Sequence, residues 1–233
     1  MTQHRALLHA AALFAGLAAA PLLAQAEPAD SGTFRVSVGG QEVGTEQFRI
    51  QQTGSGTGVV YLASGRVSLR LPSGSLELRP RLRATGLQAD PVRYEIDVGG
   101  DAPGRIAGDI GQGRVSARIV TASGEQLREY VASSGAVVLD EGVAHLYYFL
   151  AQRLHSGRVP VIVPRENRQV MATVADRGQE TVQVGDRSAR LFHLVVQLQD
   201  GGEHHVWVDA LNRVVKVEIP ARGYQAVRTE LPR

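Results

Sequence analysis

The strongest constraint on this chain is a two-residue alternation of apolar and polar side chains, broken by turn signals at intervals of about 8–12 residues. Phe34, Val36 and Val38 alternate with Arg35 and Ser37, and Gly39-Gly40 then marks a tight hairpin. Across residues 75–84, Leu76, Leu78, Pro80 and Leu82 share one face while Glu77, Arg79, Arg81 and Arg83 share the other. Residues 91–98 repeat the scheme, with Val92, Tyr94, Ile96 and Val98 set against Arg93, Glu95 and Asp97. A period of two puts every apolar group on one side of a strand, so each run needs neighbours and a shared core. The implied fold is mainly β. It is a large curved antiparallel sheet, half-barrel or barrel-like, with one principal α-helix packed against its concave face.

Further strands are predicted at residues 42–51, 59–63, 66–71, 105–110, 114–121 and 126–132. A second group covers 159–163, 168–175, 180–184, the meander 189–198, 203–208 and 213–219, and a closing strand at 224–231. Gly44 inside a strand predicts a bulge or a close backbone approach. Pro80 predicts an edge position or an interrupted ladder, because it has no N–H to donate. The arginine face of 75–84 beside the acidic face of 91–98 predicts cross-strand pairs, each adding about 0.2–1 kcal/mol.

One stretch breaks the β rhythm. In residues 140–157, Val143, Leu146, Tyr147, Leu150 and Leu154 follow a helical period. Asp140 stands where an N-cap belongs, Gly157 suits a left-handed C-terminal position, and Pro160 stops the helix from resuming. The opposite face holds His145, Gln152 and His155, flanked by Tyr148 and Phe149. A helix apolar over more than half its circumference has a second neighbour besides the sheet, or borders a cavity.

The first 26 residues are set apart from this fold. Arg5 precedes an Ala/Leu/Phe run that ends in Ala24-Gln25-Ala26, the small-x-small pattern of signal-peptidase cleavage. The expectation is an exported chain cleaved after Ala26, with residues 27–233 forming a single β-rich periplasmic domain and no transmembrane anchor after cleavage. The chain contains no cysteine, so disulfides and thiolate metal sites are excluded. Formal net charge is +2, and the arginines alternate with apolar residues along strands. That spread suits a solvated sheet face and points away from nucleic acid.

No local motif for catalysis is present: there is no G-x-S-x-G elbow, no phosphate-binding loop and no paired carboxylates placed across a cleft. His204 and His205 are adjacent on a strand and face opposite ways. His193 can approach either of them across a hairpin, and with Asp209 that would make a conceivable zinc or copper site, yet exposed polar positions on a sheet explain these residues better. His145 and His155 are separated by ~15 Å along a helix, too far to share a metal. No metal, cofactor or enzymatic activity is therefore expected. The residues best suited to line a hydrophobic ligand are Tyr147, Tyr148 and Phe149 on the helix, and Trp207, the single tryptophan.

The second half also resembles a known group. Leu139-Asp140 opens a helix, Gly157 turns the chain, and Val159-Pro160-Val161-Ile162-Val163 leads into a meander containing Val206-Trp207-Val208-Asp209 and ending at Ile219-Pro220. This order is similar to exported bacterial proteins of unknown function thought to share the lipoprotein-carrier half-barrel of the LolA and LolB kind. The resemblance implies an antiparallel sheet wrapped around helical cover, with an apolar concavity that holds acyl chains in the carriers. One clear helix, where such carriers use several, argues against direct lipoprotein transport. Two functions remain in view: a periplasmic non-enzymatic carrier-like protein for an acyl or peptide ligand, and a cell-envelope structural or partner-binding protein without a small-molecule ligand.

Overall fold

The computed structural model describes residues 28–232; the expected signal peptide lies outside the described residues. The chain forms one fifteen-stranded sheet. The first half is β1 (Pro28–Val38), β2 (Gln41–Thr53), β3 (Val60–Leu71), β4 (Gly74–Thr85), β5 (Asp90–Gly100), β6 (Gly104–Gly111), β7 (Arg114–Thr121) and β8 (Gly124–Val131). After a short β9 (Val137–Val138) and the helical segment come β10 (Gly157–Val163), β11 (Arg168–Val184), β12 (Arg187–Leu198), β13 (Glu203–Val208), β14 (Val214–Ile219) and β15 (Tyr224–Arg228). Each half is a meander, because short turns leave antiparallel pairing as the only connection. The halves join where β1 pairs with β15. The pairing of β9 with β10 is parallel. The sheet curls until β8 comes against β11 and β5 against β9, yet β8 and β9 remain its two edges.

Alternation then sorts the side chains. Phe34, Val36, Ile50, Leu78, Ile96 and Leu194 point inward and are fully buried. On the outer face Arg81 pairs with Glu95 at 3.2 Å and with Asp97 at 3.0 Å, and Arg105 reaches Glu95 at 3.1 Å, the cross-strand pairing expected from the pattern.

Two pairs of predicted strands prove to be single strands. Residues 59–63 and 66–71 are both β3, so Ser64-Gly65 is no turn. Residues 168–175 and 180–184 are both β11, with a register shift between Asp176 and Gln179 in place of a turn. One extra residue reverses the facing of everything beyond it. Val182 and Val184 accordingly belong to a second, outer cluster, while Val170, Ala172 and Val174 belong to the inner core. Pro80 lies in an interior strand, which corrects the edge expectation. The interruption is real: pairing between β3 and β4 runs to Ser64 opposite Arg81 and resumes at Val67 opposite Leu78. Gly44 meets both of its expectations. A register shift lies opposite it, and a Cβ there would sit 1.9 Å from the Ser68 carbonyl oxygen.

The helix is shorter than its periodicity predicts. A 3₁₀ turn, Ala144–Leu146, runs into α1 (Tyr147–Arg153). Asp140 does not cap it, and Gly157 is the first residue of β10 and not a helix terminator. Pro160 is tolerated inside β10 because β9 pairs only with Val161 and Ile162. Every residue from 143 to 151 is buried, including Tyr148 and Phe149, which the sequence places beside a polar strip. The sheet surrounds this short segment, so it has no solvent face to keep polar.

Candidate functional site

The interior is organised by a carboxylate from the sheet. On β2, Glu46 has the same inward phase as Phe48 and Ile50, and it is fully buried. Its carboxylate accepts the backbone N–H of Ala144 at 2.7 Å and that of His145 at 3.1 Å. These are orphan donors at the start of the helical segment, so Glu46 supplies from the sheet the cap that Asp140 does not. The His145 ring adds a third bond, Nδ1 to Glu46 Oε1 at 2.6 Å. Its Nε2 is buried without a partner.

The break in the β3–β4 ladder makes room for that ring. A Cβ on Gly65 would lie 2.8 Å from His145 Cε1 and 3.3 Å from Pro80 Cγ. The other face of the imidazole stacks on Phe48, with centroids 5.4 Å apart and planes 3° off parallel. Phe48 stacks in turn on Phe34 at 5.2 Å, and the Arg228 guanidinium lies 4.9 Å from the Phe48 centroid. Arg228 is held by Asp30 and by the carbonyls of Val214 and Ser31. Burial raises the Asp30 carboxyl and lowers the Arg228 guanidinium, and each partner's charge opposes the change.

The segment is tied at its other points as well. Asp140 accepts from the Tyr94 hydroxyl at 2.7 Å and from Arg165 at 2.5 Å, which fixes the approach to the 3₁₀ turn. Burial raises the Asp140 carboxyl, with the Arg165 charge opposing it. Near the C-terminal end, Arg153 donates to the Gln88 carbonyl at 2.7 Å and to Asp90 at 2.8 Å, and Gln152 donates to the Leu211 carbonyl at 3.0 Å. His155 bonds Asn212 at 2.7 Å. The segment is thus an anchored plug.

Beside the plug is a recess of about 120 Å³, lined by Tyr147, Val161, His204 and Ile219 and by charged residues that include Glu166 and Arg168. His204 points inward from β13. The Tyr147 hydroxyl and its Nδ1 share a hydrogen bond of 2.6 Å. Burial, with His205 adding, pushes His204 down to about 4, so the ring is neutral near pH 7.

Trp207 lies on the opposite, outer face. It is packed with Val182, Val184, Leu191 and Val215. Its Nε1–H donates to Glu180 at 2.9 Å, and that bond, followed by one from His193, lowers the Glu180 carboxyl. His193 stacks on the indole at 4.5 Å, and the Lys216 ammonium lies 4.4 Å from the indole centroid. His193 Nε2 meets His205 Nδ1 at 2.9 Å, so the hairpin does bring that histidine pair together. Asp209 is turned away to Arg213 and Leu211. Among the described residues no three His, Asp or Glu side chains are placed to hold a metal ion.

Of the four residues expected to line a ligand site, Tyr147, Tyr148 and Phe149 are together inside the sheet and Trp207 is outside it. Only Tyr147 borders the recess. Burial pushes the Tyr148 hydroxyl up to about 12. Tyr148 and Phe149 pack edge to face at 5.4 Å, and Tyr61 meets Phe149 the same way at 6.2 Å. Their rings fill space. The residues that organise the interior, Glu46, Asp30 and Arg228, carry a signal in the sequence nonetheless. Each is a charged residue in phase with apolar neighbours on its strand.

The outer face of β5–β8 carries a groove of about 580 Å³ lined by Arg93, Arg105, Arg118, Val120, Leu127 and Glu129 among others. It runs to the edge strand β8, which comes against β11 over part of its length and whose residues are exposed apart from the half-buried Tyr130. Among the described residues, no helix is long and apolar enough to cross a membrane.

No protein-family model matches the sequence, and no curated protein matches it. Among solved structures, the chain is similar to a β-barrel-like protein from Brucella abortus described as a domain of unknown function, DUF1849. The TM-score is 0.56 at 10% identity, over 85% of this chain and 93% of that one. At that identity the likeness speaks for the fold alone. It supports a barrel-like architecture; the lipoprotein-carrier relationship expected from the sequence is not part of it.

Proposed function

We propose that this is a non-enzymatic protein of the cell envelope that works by binding another protein on its outer surface, and that its interior does not carry a hydrophobic molecule. The observation that carries this reading is the plug. Residues 143–151 are all buried, and the segment is bonded to the sheet at both ends. A carrier needs a cavity of about 300–1,000 Å³ for an organic ligand. The recess beside Tyr147 is about 120 Å³. Opening more room would mean extracting Tyr147, Phe149 and Leu150 from the core and breaking the bonds to Glu46, a loss of several kcal/mol before any ligand contact forms. The open surface lies outside, along β8 and its groove. The leader pattern ending at Ala24-Gln25-Ala26 supports an envelope location.

Native mass spectrometry of the purified protein tests this reading. The expected mass is that of the polypeptide alone, and fatty acids leave the melting temperature unchanged. A stoichiometric acyl species, or a clear rise in melting temperature with one, overturns the reading in favour of a carrier.

A further inference from the structure

The edge strand β8 has the features of a pairing surface. A two-residue turn joins β7 to β8, so Thr121 and Gly124 form its closing bonded pair. Alternation along the ladder then directs the backbone groups of Gln126, Arg128 and Tyr130 towards β7. The bond from the Ala132 N–H to the Gly113 carbonyl, at 2.9 Å, keeps the same phase. The N–H and C=O groups of Glu125, Leu127, Glu129 and Val131 therefore point away from the sheet.

Edge strands are ordinarily blunted by proline, charged side chains (lysine above all), a bulge or cover. β8 contains no proline and no lysine and pairs with β7 without a register shift from Gly124 to Val131; its charged residues are Glu125, Arg128 and Glu129. Two large apolar side chains stand in water along it: Leu127 is 73% exposed and Val131 59%.

Charge decides what pairs there. On the outer face one row alternates in sign across three strands, Arg79, Asp97 and Arg105 on β4, β5 and β6, whereas Arg83 stands opposite Arg93. The arginines behind the edge are already committed, Arg118 to Glu125 at 2.6 Å and Arg114 to Glu129 at 3.4 Å. The outermost position is acidic. Glu125 and Glu129 remain largely in solvent, at 45% and 62% side-chain exposure, with carboxylate lone pairs still open outward. A second copy of the chain fits poorly. The two antiparallel registers that overlap β8 most fully centre on Leu127 and on Arg128. The first sets Glu125 against Glu129 twice, and the second sets Arg128 against itself. Like charges directly opposite destabilise a pair of strands.

Resting on the partner-binding reading above, we propose that β8 docks an extended segment of another protein as one further antiparallel strand. That segment carries basic residues four apart, facing Glu125 and Glu129, with apolar residues facing Leu127 and Val131. Main-chain bonds supply affinity and the alternate side chains supply selectivity.

The test uses the whole chain and a capped, labelled peptide, Val-Thr-Lys-Thr-Val-Thr-Lys. Fluorescence anisotropy is expected to show saturable binding, weakened at least tenfold when both lysines become glutamate. Hydrogen exchange is expected to slow at the amides of Glu125, Leu127, Glu129 and Val131. Leu127→Pro deletes an outward N–H without touching the β7 ladder and is expected to abolish binding. Leu127→Lys, which leaves the backbone intact, is expected to weaken it at least tenfold and guards against a folding defect in the proline variant. Equal binding of the glutamate peptide, protection elsewhere on the chain, or no binding of the lysine peptide overturns the proposal. The partner-binding reading fails separately, through a bound acyl species.

Discussion

Two sets of ionisable residues in this molecule use similar chemistry and differ in what they do. Inside, Glu46 and His145 are both completely buried, and three donors converge on one carboxylate. Outside, Arg81, Arg93 and Arg105 share Glu95, Asp97 and Asp109 in rows open to water. The outer rows are redundant, since each arginine has more than one acid or a close substitute, and water competes for every bond. The inner set has no substitute. It selects the position of the helical segment along the barrel, because a shift in either direction would leave the carboxylate and two backbone N–H groups buried and unpaired. Burial, more than the identity of the charges, turns an ion-pairing residue into one that specifies architecture.

The sharpest way to break that contrast is Glu46→Ala. It strands the N–H groups of Ala144 and His145 together with His145 Nδ1, and it opens a cavity. The expected loss is about 3–5 kcal/mol, a large share of the ~5–15 kcal/mol stability of a folded domain. Urea denaturation followed by circular dichroism reads it directly. A loss below about 1 kcal/mol would show that the segment is held by apolar packing alone.

Acid is the next lever, and it acts at the recess. His204 titrates near 4 in the folded protein against an ordinary value near 6.5. Between those values the unfolded chain binds a proton that folded His204 does not, so stability rises with pH across the window and is lost as pH falls through it. The slope reaches at most about 1.4 kcal/mol per pH unit. Comparing the protein with His204→Gln isolates this contribution, because groups such as Asp140 and Asp30 titrate in both. The difference between the two is expected to shrink as pH falls from 6.5 to 4. A constant difference would mean that the ring is not shielded from water.

Gly65→Ala is expected to cost about 1–3 kcal/mol, the range for overpacking a core. The new methyl would meet the His145 ring at 2.8 Å, with Pro80 closing the other side. In a double-mutant cycle with His145→Ala the penalty should largely vanish. Its persistence would place the clash with Pro80 or the strand backbone.

Much of this architecture can be read from the chain, and the failures share one cause. The sheet and the ion-pair rows follow from a period of two, which is a local property, and so does the ladder break at Pro80. The plug does not. The run from Val143 to Leu154 has helical periodicity over a longer span than the helix that forms, because its N-terminal end is decided by Glu46, Tyr94 and Arg165, residues far away in sequence. Ser64-Gly65 resembles a turn because glycine serves turns and close approaches alike, and only the position of His145 decides between them. The same holds for residues 176–179, where a bulge replaces the predicted turn and carries Val182 and Val184 to the outer face. Trp207 alternates correctly on its strand, but nothing local says that its side of β13 faces outward. Glu46 itself was legible, as an acid in phase with Phe48 and Ile50.

The smallest expected effect completes the contrast. Arg81 is 48% exposed and reaches both Glu95 and Asp97, yet Arg81→Ala should cost no more than about 0.5–1 kcal/mol. Arg93 and Arg105 remain to neutralise Glu95, and water solvates what is left of Asp97. Salt then separates the two kinds of site. Near 1 M salt the screening length falls to about 3 Å, so the cost of Arg81→Ala should fade towards zero. The Glu46→Ala loss should persist, because no counterion reaches the fully buried carboxylate site. Paired denaturation curves at low and high salt measure both. If the two losses shrink together, the interior is wetter than a plugged barrel allows, and the distinction between an architectural core pair and a solvated outer lattice falls with it.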